Sequence, residues 1–167
     1  MTDTRHLPRL TRPVGNDGIA RLLQAIPFAR LLGVNATIDD EGKVIARMPY
    51  GDHLIGNPRL PALHGGTIGA FLEMTAIAQL VVDMAEPGIP KTIDITVDYL
   101  RSGRPRDTFA KAIVAKHGRR IANVRIEAWQ DDPTRPIATA HGHFMLPEGG
   151  EAAAPASADI KATETKA

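Results

Sequence analysis

The 167-residue sequence contains no cysteine. This excludes disulfides, thiolate metal sites and a cysteine nucleophile, and it is compatible with the cytoplasm, where this reading places the protein. Aromatic residues are scarce, with one Trp, two Tyr and four Phe, too few for a platform on which nucleic-acid bases stack. Neither charge dominates: 20 Lys and Arg stand against 19 Asp and Glu, so the basic surplus of a nucleic-acid binder is missing. Residues 1–16 lack the apolar stretch of a secretory signal and read as a flexible polar arm. The longest apolar stretch, Ile68 to Met84, is interrupted by Glu73, Gln79 and Asp83 and is not read as a membrane span. No Gly-x-Ser-x-Gly is present, which removes the serine elbow of the α/β-hydrolases. Neither nucleic acid nor membrane is therefore an expected partner, and no metal site is expected.

What is present fits one domain, residues 17–146, followed by an Ala-, Glu-, Lys- and Pro-rich tail, 147–167, expected to be disordered. Asp17 is placed to cap a short amphipathic helix from Gly18 to Ile26, and Pro27 ends or kinks it. Val34 to Asp39 and Lys43 to Pro49 read as two strands of a hairpin. Residues 51–62, punctuated by Gly and Pro, read as a loop. A long helix follows from about Gly65 to Met84. Thr92 to Leu100 alternates strictly, with Ile93, Ile95, Val97 and Tyr99 on one face and Thr92, Asp94, Thr96 and Asp98 on the other. Phe109 to Lys116, Ile121 to Gln130 and Pro136 to Leu146 complete the strands. Hairpin-linked strands imply an antiparallel sheet, and a helix apolar almost all round implies that the sheet wraps it, an α+β fold.

Between Gly65 and Val82 the only formal charge is Glu73. A carboxylate among Ala70, Phe71, Leu72, Met74, Ala76 and Ile77 must find a partner or raise its own pKa, which makes it a candidate functional group. Exposure to solvent or an ion pair with an arginine would explain it equally well. Gly65 and Gly66 open the helix, where backbone N–H groups are unpaired and the helix dipole is positive, a ready site for a carbonyl oxygen that becomes an oxyanion. A tight turn or close packing onto the sheet is the plainer explanation of the two glycines. Spacing constrains how the two features combine. Glu73 lies nine residues after His64, roughly 13 Å along the axis and on the opposite face at about 100° per residue. A single site would have to take Glu73 from a second copy whose helix runs antiparallel alongside, at a two-fold interface.

Asn57, six intervening residues, His64-Gly65-Gly66 and Glu73 together resemble the hotdog-fold thioesterases of the phenylacetate-pathway (PaaI-like) and 4-hydroxybenzoyl-CoA type. Thr92 to Arg101 is similar to the first strand after the helix in that family, and Lys116-His117-Gly118-Arg119 and Ala138 to Phe144 to its last hairpins, so the resemblance spans about residues 25–146. It implies an antiparallel sheet wrapped around one helix, dimerised into a continuous sheet and often doubled to a tetramer. It also implies an acyl-CoA substrate and no cofactor, coenzyme A being part of the substrate. Gly65 N–H, with Gly66 beside it, would polarise the thioester carbonyl. Glu73 of the partner subunit would activate water or attack as a nucleophile. His64 and Asn57 would orient the thioester or the water, and Thr92 would hold the water. The chain departs from the pattern in carrying Glu73 where many PaaI-like members carry Asp, and in a loop from Asn57 to His64 that holds Pro58 and Pro61 and is longer than usual.

Two basic clusters, Arg101 with Arg104 and Arg106, and Lys116 with Arg119 and Arg120, sit in strand connections. They could hold the phosphates of coenzyme A, with Gly118 shaping the second turn, or be solvated loop charge. Phe28, Leu54, Ile55, Met74 and Ile77 are candidates for an apolar acyl site. His141 and His143 share a strand face, but no third metal ligand is near in sequence. The expected activity is hydrolysis of an acyl thioester. The rival readings are a hotdog hydratase or dehydratase of acyl thioesters and a non-catalytic acyl-CoA binding protein.

Overall fold

The last strands of the chain form where small and branched apolar residues alternate with polar ones. The computed structural model describes residues 10–86, 88–150 and 152. Residues 1–9 of the expected arm, and 151 and 153–167 of the expected disordered tail, lie outside the described residues. In strand β7 (Ile121–Trp129) Ala122, Val124, Ile126 and Ala128 point inward, and in β8 (Ala138–Met145) Ala138, Ala140 and Phe144 do the same. With β6 (Thr108–His117) and β5 (Lys91–Tyr99), and with β1 (Asn35–Ile38) and β2 (Val44–Met48), they make one antiparallel sheet of order β1-β2-β6-β7-β8-β5. The longest helix, α3 (Gly65–Asp83), lies in the curve of this sheet and packs on β2, β6 and β7, with Phe71, Leu72, Leu80 and Val81 fully buried. Helices α1 (Asn16–Ala25) and α2 (Pro27–Leu31) close the end of the core near β1 through Ile19, Leu22 and Leu23. The antiparallel sheet wrapped on one helix is the expected hotdog architecture.

Several local expectations are corrected. Residues 51–62 are not a plain loop. They hold a 3-10 turn (Asp52–Leu54) and a small hairpin, β3 (Ile55–Asn57) against β4 (Ala62–Leu63), whose tip carries Pro58 and Pro61 where no ladder N–H is needed. Asp17 does not cap α1; Gly15 is the cap residue and Asp17 lies in the first turn, where the helix dipole favours an acid. By length and composition α3 could cross a membrane despite its polar interruptions, but the sheet buries it as a core helix. Residues 10–15, read as part of the flexible arm, pack down. Leu10 and Val14 are buried, and the Arg12 guanidinium donates to the carbonyls of Val81 and Glu86, both at 2.5 Å. At Val81 Arg12 thereby satisfies a carbonyl that the end of α3 leaves unpaired, and its charge complements the helix dipole.

One side of α3 is less covered than the rest. Gly66, Gly69, Ala70, Glu73 and Ile77 recur every three or four residues and are half-buried or exposed. They flank β5, which is an edge strand.

Candidate active site

The start of α3 is built from backbone groups. His64 is the N-cap, with extended backbone (φ −66°, ψ 130°), and its ring Nδ1 accepts a hydrogen bond from Gly66 N–H at 2.9 Å. The expected pair of free glycine donors is thus reduced to one: Gly66 N–H is spent on the cap, while Gly65 N–H has no partner among the described residues. Tyr99, at the far end of β5, donates its hydroxyl to the Gly65 carbonyl at 2.7 Å and lays its ring over the same residue. A Cβ on Gly65 would lie 3.2 Å from that ring, so the glycine permits the close approach. Gly65, Leu63, Ile68, Tyr99, Leu100 and Arg101 contribute to an open cleft of about 530 Å³. Asn57 sits on β3, and its side-chain oxygen accepts from the N–H of Arg59 and Leu60, so that oxygen is committed to the turn.

Glu73 is half-buried on the less covered side of α3, with no ion pair among the described residues. The partner it needs is Thr92, whose hydroxyl donates to Glu73 Oε1 at 2.5 Å. This contact depends on a departure from the strict alternation read in β5. Thr92 pairs with Phe144 and Asp94 with His143, which leaves Ile93 as the extra residue of a β-bulge. Residues paired across an antiparallel ladder share a face. Thr92 therefore turns inward with Ile95, Val97 and Tyr99, while Ile93 is 49% exposed. The bulge is accommodated on β8 by Gly142, where a Cβ would stand 2.7 Å from the Asp94 carbonyl oxygen. On the outer face Asp94 accepts from His143 at 3.1 Å, and the other ring nitrogen of His143 faces Asn123 at 3.2 Å. His143 is thus engaged by Asp94 and Asn123 on the outer face that it shares with His141, and among the described residues no three His, Asp or Glu side chains converge on a metal-sized site.

The two half-sites stand at opposite ends of β5. Gly65 and Glu73 are eight residues apart in α3, about 12 Å along the axis, so one chain does not bring them together. The basic clusters separate in the same way. Arg101 lines the cleft at Gly65, and one arm of its guanidinium donates to the Pro136 carbonyl at 2.6 Å. Arg119 and Arg120 lie at the other end, beside the start of β5, in a cleft of about 380 Å³ shared with Leu146, Pro147, Glu148 and Gly149. Gly118 shapes that turn: its N–H donates to the Ile121 carbonyl at 3.0 Å, and a Cβ there would stand 2.7 Å from the same oxygen. Of the apolar residues expected at an acyl site, Leu54 and Met74 belong to the core, Ile55 and Ile77 are half-buried, and Phe28 is exposed on α2.

Tyr99 and Gly142 are the positions that shape the candidate site without having stood out in the sequence. An isolated glycine inside an alternating strand is a signal for a bulge or a close backbone approach, and Gly142 between two histidines carries it. Tyr99 gave no comparable signal, because its partner is 34 residues away in sequence.

Known proteins share this fold and part of this sequence. Residues 60–137 match the family model of the thioesterase superfamily. The chain is 28% identical over 136 residues to the medium/long-chain acyl-CoA thioesterase YigI of Salmonella typhimurium, covering 72% of this chain and 86% of that protein. A solved structure from Chromobacterium violaceum is 38% identical, with a TM-score of 0.64 over 78% of this chain and 90% of the other. A Shewanella oneidensis protein related to the thioesterase superfamily is 29% identical, with a TM-score of 0.68 over 79% of this chain and 95% of the other. On fold and relatives together, the chain is placed with the hotdog-fold thioesterase superfamily, on the match over residues 60–137.

Proposed function

We propose that the protein hydrolyses acyl-CoA thioesters at a site shared between two copies of the chain. The observation that carries the proposal is the pair of incomplete half-sites on one side of α3: a donor without an acceptor at Gly65, and a hydrogen-bonded carboxylate without a substrate cradle at Glu73. A two-fold axis beside Gly69, midway between them, would lay α3 against α3 in opposite directions. Each Gly65 then meets Glu73 of the partner subunit. The uncovered Gly66–Ile77 side of α3 and the unpaired edge of β5 are the surfaces such an axis would cover.

In this arrangement the thioester carbonyl oxygen accepts from Gly65 N–H at the positive end of α3, which stabilises the oxyanion as it forms. Glu73 of the partner subunit takes a proton from water as the water oxygen bonds to the carbonyl carbon. Collapse of the tetrahedral intermediate breaks the C–S bond, and the departing thiolate takes up a proton, giving a free acid and coenzyme A. Thr92 fixes the carboxylate by donating to it, and its oxygen can still accept from the attacking water. Arg119 and Arg120 lie at the Glu73 end, so the same subunit that supplies the base would supply cations for the coenzyme A phosphates. The half-buried and exposed apolar residues Ile55, Ile77 and Phe28, and the similarity to YigI, favour a medium or long acyl chain.

Free-thiol release from short, medium, long and aromatic acyl-CoAs, by wild type and Glu73→Gln, tests this. Wild type should turn over, and Glu73→Gln should lose at least about 100-fold in kcat, the scale of acid–base catalysis. Equal activity of the two would overturn the role of Glu73. Hydration of an enoyl-CoA without thiol release would favour the hydratase, and saturable binding without turnover the binding protein.

A further inference from the structure

The hydrogen bonds at the start of α3 form a chain that ends on a ring nitrogen. Tyr99 Oη donates to the Gly65 carbonyl at 2.7 Å. That carbonyl shares its peptide unit with Gly66 N–H, which donates to His64 Nδ1 at 2.9 Å. A peptide whose carbonyl accepts a hydrogen bond is polarised so that its N–H donates more strongly. His64 Nδ1 is here an acceptor, so in the neutral ring the proton sits on Nε2. Nε2 has no partner among the described residues, and His64 is exposed. The ring is confined between two glycines, since a Cβ on Gly56 would lie 3.0 Å from its Cδ2 and one on Gly66 3.0 Å from Nδ1.

We propose that Tyr99 is a positioning residue: through the Gly65–Gly66 peptide it holds His64 as the Nε2–H tautomer, a second fixed donor on the residue next to the Gly65 N–H. The site then presents two donors, one backbone and one imidazole, and the hydroxyl of Tyr99 orients both without touching the substrate. This deepens the thioesterase reading and rests on it only for the catalytic consequence. The tautomer itself is a property of the free protein.

The test uses Tyr99→Phe, which keeps the ring over Gly65 and removes only the hydroxyl. Long-range proton–nitrogen NMR of histidine-labelled protein, with His64 assigned by its loss in His64→Gln, reads the tautomer directly. Wild type should show an acceptor-like Nδ1 and a protonated Nε2. In Tyr99→Phe the two nitrogen shifts should move toward each other as both tautomers become populated. Thiol release should fall about three- to tenfold in kcat, the worth of one hydrogen bond, with KM for the acyl-CoA little changed. An Nδ1–H tautomer in wild type, or unchanged shifts in Tyr99→Phe, would overturn the proposal even if wild type hydrolyses thioesters. A wild type that hydrolyses none would instead remove the catalytic reading and leave the tautomer result standing.

Discussion

The two ends of α3 solve different problems by different means. In the proposed site the chemistry at Gly65 is carried by the backbone, and side chains serve to fix it: His64 caps the helix, and Tyr99 grips the first carbonyl. At Glu73 it would be carried by a side chain, and the backbone serves to fix it: a bulge at Ile93 turns Thr92 inward to hold the carboxylate. The difference follows from position. A helix start offers unpaired N–H groups and a positive dipole at no cost in side chains. Mid-helix backbone groups are all consumed, so a reactive group there has to be a side chain, and in apolar surroundings it has to be hydrogen-bonded. In the proposed reaction each end needs the other, and the two are supported by opposite ends of the same edge strand.

Replacing Thr92 with valine is the larger way to break this comparison. Thr92→Val keeps the bulge and the inward side chain but removes the hydroxyl that holds Glu73. Thiol release should fall about 10- to 100-fold, since a hydrogen bond to a charged group is worth ~1.5–3 kcal/mol. The tautomer of His64 at the other end should not change. A Thr92→Val variant with full activity would show that Thr92 does not orient the base.

A smaller effect is expected beyond the site, at Asp83. Burial at the end of α3 raises its pKa, against the opposing pull of the Gln79 hydrogen bond and of the charges of Lys43 and His117. The native state therefore holds this proton more tightly than the unfolded chain, and stability declines as pH rises from the ordinary carboxyl value of 3.8 through the folded one. Asp83→Asn removes the penalty. Its melting temperature at pH 7 should rise by roughly 2–4 °C, the gain should vanish below pH ~4, and activity should be unchanged. A lower melting temperature at pH 7 would mean that the ionised carboxylate is favourable where it stands.

The sheet and the long helix were legible because their signals are local. Alternation in 121–129 and 138–145 marks half-buried strands, and an apolar run of helical length marks the core helix. The hairpin at 55–63 was hidden because Gly56, Pro58 and Pro61 are the residues that also make loops. The bulge was hidden for the opposite reason. Thr92 to Tyr99 alternates without a flaw in sequence, and only the ladder with β8 shows the slip, with Gly142 as its one sequence trace. Packing of Leu10 and Val14 and the hydrogen bonds of Arg12 depend on the far end of α3, about seventy residues on. In the site, Glu73, Gly65 and His64 stood out by type and spacing. Tyr99 could not, because its role exists only where β5 crosses the start of the helix.

The shared site is tested most directly by mixing two inactive proteins. Gly65→Pro removes the oxyanion donor at a position where proline suits a helix start, with His64 already in the extended conformation that precedes proline. The Tyr99 ring must give slightly. Glu73→Gln removes the base. After subunit exchange, confirmed by mass spectrometry of the mixed dimers, each mixed dimer carries one intact site. Half the dimers in an equal mixture are mixed, so activity should return to about one quarter of wild type. Complete exchange with no recovery would contradict a site built from Gly65 of one subunit and Glu73 of the other.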